Sequence, residues 1–116
     1  MSAGLPAHVR RAAEAALEKK AEDVVILDVR AQASFADYFL LATGSNQRQL
    51  VAIADEIRTA LRGLGRRPDH VEGYPRQEWV LMDYDSLVVH VMSAASRAFY
   101  DLERLWADAP RIRVSS

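Results

Sequence analysis

The chain contains no cysteine. Disulfide frameworks, thiolate zinc sites and cysteine nucleophiles are therefore excluded, and a reducing compartment fits. Glycine and proline are scarce, with 5 and 4 residues respectively, and no internal repeat or low-complexity segment is visible. Long apolar runs are missing too: stretches such as Val24 to Leu27 and Tyr38 to Ala42 are far too short to span a bilayer. The first twenty residues lack a secretory core and cleavage site, and Glu14 and Glu18 argue against a transit peptide. No membrane partner and a cytoplasmic location are expected. Nor is there an excess of either charge, since 15 Lys and Arg face 16 Asp and Glu for a net charge of -1. A protein that binds chiefly by neutralising phosphates needs a cationic surplus. Here only Arg66 and Arg67, with nearby Arg62, cluster, so nucleic acid is not expected as the principal partner.

What the chain does have is an ordinary globular balance, 50% hydrophobic and 27% charged over 116 residues. This length suits one domain over 1–116 with a radius of gyration of roughly 13 Å. Such a domain buries about two-thirds of the surface its unfolded chain exposes.

Pro6 to Lys20 has helical spacing, with Pro6 in a first-turn position and Val9, Ala13, Ala16 and Leu17 on one stripe. Val24 to Val29 is short, apolar and β-branched, which predicts a buried strand. Asp37 to Thr43 is a second such run, and its lack of alternation predicts a central strand covered on both faces. Gly44-Ser45-Asn46 then opens a helix, with Asn46 and Gln49 at capping-box spacing and Ser45 as an alternative cap. Leu50, Ile53, Ala54, Ile57, Leu61 and Leu64 form its apolar stripe, and Gly65 is the expected C-cap. Asp69 to Glu72 is a weak strand candidate ended by Gly73, Tyr74 and Pro75. Trp79 to Tyr84 and Leu87 to Met92 form a hairpin around Asp85-Ser86. Ala94 to Trp106 reads as one helix, with Ala98, Phe99, Leu102, Leu105 and Trp106 on one face and Pro110 as its stop. The expected architecture is α/β: a mixed five-stranded sheet with helices packed on it, and flexible ends over 1–5 and 111–116.

With Asp85 and Ser86 as the turn, Tyr84 faces Leu87, Met82 faces Val89 and Val80 faces Val91. Alternation places these six side chains on one face, assigned to the core under the helices. The other face carries Trp79, Leu81 and Asp83 opposite Met92, His90 and Val88. A solvated face would be rich in Lys, Thr and Glu. An apolar patch with a polar fringe instead marks an interaction site or a further layer of core, such as the first helix laid over it. Pattern alone leaves both open, and a one-residue slip would exchange the faces.

Gly44-Ser45 before a helix, with Asp83 and Asp85 later, loosely resembles a magnesium-dependent nucleotide-binding or nucleotidyltransferase site. The carboxylates fall too far along the chain, Asp85 is explained by turn chemistry, and no phosphate clamp accompanies them. His8, His70 and His90 lack ligand spacing, and Ser34, Ser45 and Ser93 lack a nucleophile elbow. Arg97, Asp101 and Arg104 are spaced for helical ion pairs on a solvated face. No catalytic residue, metal or cofactor is expected.

Taken together, several segments resemble the ribosomal silencing factor family, also called Iojap-like. They are Asp37-Tyr38-Phe39 with Ala42-Thr43-Gly44-Ser45 and Arg48-Gln49; Glu72-Gly73; Trp79 to Tyr84; Val89-His90-Val91; and Arg97 to Trp106. The resemblance implies a nucleotidyltransferase-like fold without transfer activity. It implies docking on the large ribosomal subunit through ribosomal protein fourteen, with at most a minor rRNA contact. Docked there, the domain would block subunit association by steric exclusion and repress translation when nutrients are limiting. A homodimer is implied for the free protein. Carried onto this chain, the docking face takes Trp79 as anchor, with Leu81, Asp83 and His90. Glu72, Asp37 and Tyr38 are polar neighbours, and Arg97 and Tyr100 either join the face or support the hairpin from the last helix.

Overall fold

The computed structural model describes residues 4–73 and 78–114. In chain order the elements are α1 (Ala7–Glu18), β1 (Glu22–Asp28), β2 (Tyr38–Gly44), α2 (Gln47–Arg62), β3 (His70–Glu72), β4 (Trp79–Asp83), β5 (Leu87–Ser93), α3 (Ala94–Tyr100), α4 (Leu102–Leu105) and β6 (Arg111–Arg113). The strands form one mixed sheet in the order β3-β4-β5-β2-β1-β6. Only the β2–β5 pair is parallel; the other neighbours run antiparallel.

Strand β2 is buried along its whole length, as its unbroken apolar run predicts. Tyr38, Leu40 and Ala42 point to the side covered by α1 and α2, where they join Val9, Ala13, Leu50, Ile53 and Ile57. Phe39 and Leu41 point to the opposite side, against Val25, Leu27, Leu102 and Trp106. Helix α1 meets α2 through Ala12, Ala13, Ala15 and Ala16, whose small side chains allow close approach. The two helices are also tied at their ends. The Asn46 side chain accepts from the Gln49 N–H at 2.8 Å, and the Gln49 amide spans from Ser45 to the Lys19 and Lys20 carbonyls, at 3.2 and 3.0 Å. The far end of α2 is capped at Gly63, two residues before the expected Gly65, which follows at φ 76° as the Arg66 N–H reaches back to the Leu61 carbonyl.

Three expectations are corrected. The sheet has six strands, not five, because Arg111–Arg113 pairs with β1 through Val25↔Arg113, Ile26↔Ile112 and Leu27↔Arg111. The expected loose ends are therefore shorter: β6 covers an otherwise open sheet edge, Val114 is buried beside it, and Leu5 is buried at the other end. A three-residue Arg-Ile-Arg strand is too short to leave a periodic signal. Second, the last helix is broken. Asp101 adopts the left-handed conformation (φ 45°), ending α3 and starting α4, so Leu102 and Trp106 pack on the sheet while Phe99 and Leu105 stay exposed. Third, Arg97 does not pair with Asp101 but with Glu103, at 3.0 Å, across that break. The expected turn residues Tyr74 and Pro75 lie outside the described residues.

Candidate docking face

The hairpin has the register that alternation predicts: Val80↔Val91 and Met82↔Val89 on the helix side, Trp79↔Met92, Leu81↔His90 and Asp83↔Val88 on the other. Asp85 makes the turn at φ 68°, and the Asp83 carboxylate accepts the Asp85 N–H at 2.8 Å. Helix α1 lies on the helix side, so it is not what covers the second face. That cover comes from the C-terminal segment, and it stops short. Leu102 and Trp106 seal β1 and β2, whereas Trp79, Leu81 and Asp83 on β4 remain half-buried.

Aromatic rings cross this face from the closed side to the open one. Trp106 meets Phe39 edge-on at 5.2 Å, Phe39 meets His90 at 5.4 Å, His90 meets Trp79 at 5.7 Å, and Trp79 meets Tyr100 at 4.7 Å. Such tilted and edge-on contacts each add about 0.5–1.5 kcal/mol beyond area burial. His90 is the hinge of the row. The Trp79 indole N–H donates to its Nδ1 at 3.1 Å, so in the neutral ring the proton sits on Nε2. Burial holds the imidazole neutral, with its pKa pushed down to about 4. Its Nε2 is buried and finds no acceptor among the described residues.

Beside Trp79 the surface sinks into a hollow of about 500 Å³ lined by Glu72, Gly73, Glu78, Trp79, Leu81, Ser96 and Tyr100. Gly73, at φ 96°, lets the chain pass the Trp79 carbonyl, which a Cβ would approach to 2.0 Å. Ser93 caps α3 through the Ser96 N–H and also donates to the Glu78 carboxylate, each at 3.0 Å. The result is an aromatic and aliphatic floor with two carboxylates at its rim.

A family model described as ribosomal silencing factor during starvation matches residues 2–116. The chain belongs to the ribosomal silencing factor family. It is 41% identical over 99 residues to the ribosomal silencing factor of Bacillus subtilis, covering 85% of this chain and 84% of that one. A crystal structure of a Chromobacterium violaceum protein superposes with a TM-score of 0.84 at 36% identity, over 86% of this chain and 83% of that one. A more distant relative is the mouse protein named mitochondrial assembly of ribosomal large subunit protein 1, 29% identical over 92 residues. The match covers 77% of this chain and 40% of the mouse protein.

Within this silencing factor domain, Trp79, Leu81, His90 and Tyr100 lie together on the second face, and Glu72 stands at the hollow's rim with its carboxylate 2.9 Å from His70. Asp83 is at the turn end of the same strand, with one oxygen committed to Asp85. Tyr38 leaves the set: it is one residue out of phase with Phe39 and sits in the helix-side core. Asp37 is exposed at the start of β2, where its N–H and that of Tyr38 both bond the Ser86 carbonyl. Arg97 is also removed from the face. It is nearly buried, bonds the Asp23 carbonyl and the Thr43 hydroxyl, and forks onto Glu103, whose pKa is held below the usual carboxylate range chiefly by that hydrogen bond. It is a clamp between α3, α4 and the sheet.

Sequence reasoning missed Glu78, Ser96, Phe39 and Trp106 as parts of this site. Glu78 was legible as the polar residue preceding Trp79. The aromatic row was not, because its members come from four separate segments.

Proposed function

We propose that this family member docks through its open half-face onto the large ribosomal subunit, at ribosomal protein fourteen. Held there in the cytoplasm, it blocks small-subunit joining sterically and represses translation under nutrient limitation. One observation carries the reading: the half-open Trp79–Leu81–Tyr100 floor with Glu72 and Glu78 at its rim. A central aromatic in a partly desolvated hollow is the residue type that dominates binding energy. Carboxylates at the rim suit a basic protein surface through charge-assisted hydrogen bonds. The name of the mouse relative, which links that protein to large-subunit assembly, supports the same partner. In the free protein we assign a homodimer, for which exposed Phe99 and Leu105 offer apolar area.

The enzymatic alternative is disfavoured by what its residues do. A Cβ on Gly44 would lie 2.8 Å from the Leu50 backbone, so this glycine serves close strand–helix approach. Both Ser45 donors face the Gln49 side-chain oxygen, at 2.6 and 2.7 Å. Asp83 shapes the turn. The nucleotidyltransferase-like label is therefore proposed for the fold and not for an activity.

The test is light scattering on mixing ribosomal subunits, with co-sedimentation of the protein on isolated large subunits. Wild type should slow joining, and Trp79→Ala should weaken binding by about 2 kcal/mol or more, roughly thirty-fold. Normal joining at saturating wild-type protein would overturn the proposal.

A further inference from the structure

On the helix side of the sheet, away from Trp79, the end of α2 gathers positive charge. Arg58 and Arg62 lie one turn apart on that helix. The left-handed Gly65 then folds the chain back so that Arg66 and Arg67 line the same concavity, with the start of β3 at its border. The concavity is about 280 Å³, with Asp69 its one carboxylate. In a chain of net charge -1 this is a marked local concentration. The helix dipole rewards a cation in the last turn, which accounts for Arg62 but not for Arg66 and Arg67 beyond it.

Four arginines elsewhere have carboxylate partners: Arg11 with Glu14 and Glu18, Arg30 with Asp28, Arg97 and Arg111 with Glu103. Among the described residues no salt bridge engages Arg62, Arg66 or Arg67. Their field reaches inward. Burial pushes the Tyr84 phenol up while Arg58 and Arg62 pull it back, and the Tyr84 hydroxyl is buried without a partner among the described residues. His8 is held low by burial and then by Arg66.

We propose that this arginine concavity binds the phosphates of an RNA backbone. Guanidinium forks match phosphate oxygens in pairs, as they do carboxylates, and several converging arginines suit the closely spaced charges of a phosphate backbone. A free nucleotide fits less well. Its base needs an aromatic or broad apolar wall to stack on, and among the described residues only Pro68 and Val71 supply apolar surface here. The site is separate from the Trp79 face and does not depend on how that face is used.

The experiment is fluorescence anisotropy of a short labelled RNA hairpin titrated with the whole protein over a salt series, beside calorimetry with inorganic pyrophosphate and with GTP. Arg62, Arg66 and Arg67 are exposed, so their substitution spares the core. Wild type should bind the hairpin with a falling log-log salt dependence. The double variant Arg62→Ala, Arg66→Ala should bind at least tenfold more weakly, with the salt slope reduced by about 2, one for each phosphate contact removed. Trp79→Ala should bind RNA like wild type, which separates failure here from failure of ribosome docking. Three results overturn the proposal: no hairpin binding by wild type, unchanged binding and slope in the double variant, or tight GTP or pyrophosphate binding without hairpin binding.

Discussion

The two faces of the β4–β5 hairpin are built from one pair of strands in one register, yet they differ in what they leave for solvent. On the helix side Val80, Met82, Leu87, Val89 and Val91 are fully buried. On the other side Trp79, Leu81 and Asp83 are half open, while His90 and Met92 beneath them are closed. Apolar content does not distinguish the faces; exposure does. Each face holds one buried polar atom that finds no partner among the described residues, the Tyr84 hydroxyl on the helix side and the His90 Nε2 on the other. The second face adds an indole N–H and a carboxylate on its half-open strand. A half-open face can keep such groups hydrated, whereas each costs free energy where it is buried unpaired.

The sharpest way to break this comparison is to truncate neighbours on opposite sides of β4. Met82→Ala removes a fully buried side chain and should cost about 2–5 kcal/mol in urea unfolding. Leu81→Ala removes a half-buried one and should cost under about 1.5 kcal/mol. Equal losses would mean that the second face is as closed as the first.

The next effect is a pH dependence. His90 in the folded chain holds its pKa near 4, against an ordinary value of 6.5, because burial penalises the charged ring. Between those values the unfolded chain binds the proton and the folded chain does not. Stability is therefore full above pH 6.5 and is lost as pH falls toward 4. Full protonation of the unfolded state over that window corresponds to roughly 3 kcal/mol. His8 is held low by burial as well and adds a loss of the same sign. The diagnostic is thus the difference between wild type and His90→Asn, which keeps an acceptor for Trp79 but cannot titrate. The variant should lose less stability from pH 6.5 to 4; parallel curves would show that His90 is not closed off from water.

Much of this frame was legible in the sequence because local chemistry and tertiary structure agree there. The hairpin register follows from Asp85, a residue type that tolerates the left-handed turn, and the α2 cap follows from Asn46 and Gln49. What stayed hidden depends on distant partners. The break at Asp101 has no Gly or Pro to announce it and is spanned by the Arg97–Glu103 pair. Strand β6 exists because β1 offers an edge, and the placement of Tyr38 is decided by a one-residue phase that a continuous apolar run cannot show. Within the candidate face, the β4 residues were readable by alternation. The hollow was not, since it needs Gly73, Glu78 and Ser96 brought together from three segments.

The smallest expected effect on stability is the most informative about the open side. Tyr100 is half-exposed and rests on Trp79 with ring centroids 4.7 Å apart, at the end of α3 just before the helix break. Its removal leaves no cavity in the core, so Tyr100→Ala should cost only about 0.5–1.5 kcal/mol of stability, the worth of one aromatic pair. Its effect on docking should be larger than that, because the ring walls the hollow and helps hold Trp79 in place for a partner. Tyr100→Phe keeps the ring contact and should restore both properties. If Tyr100→Ala lowers stability by several kcal/mol, the ring is part of a closed core. If it leaves large-subunit co-sedimentation unchanged, the docking surface ends at Trp79 and does not include the last helix.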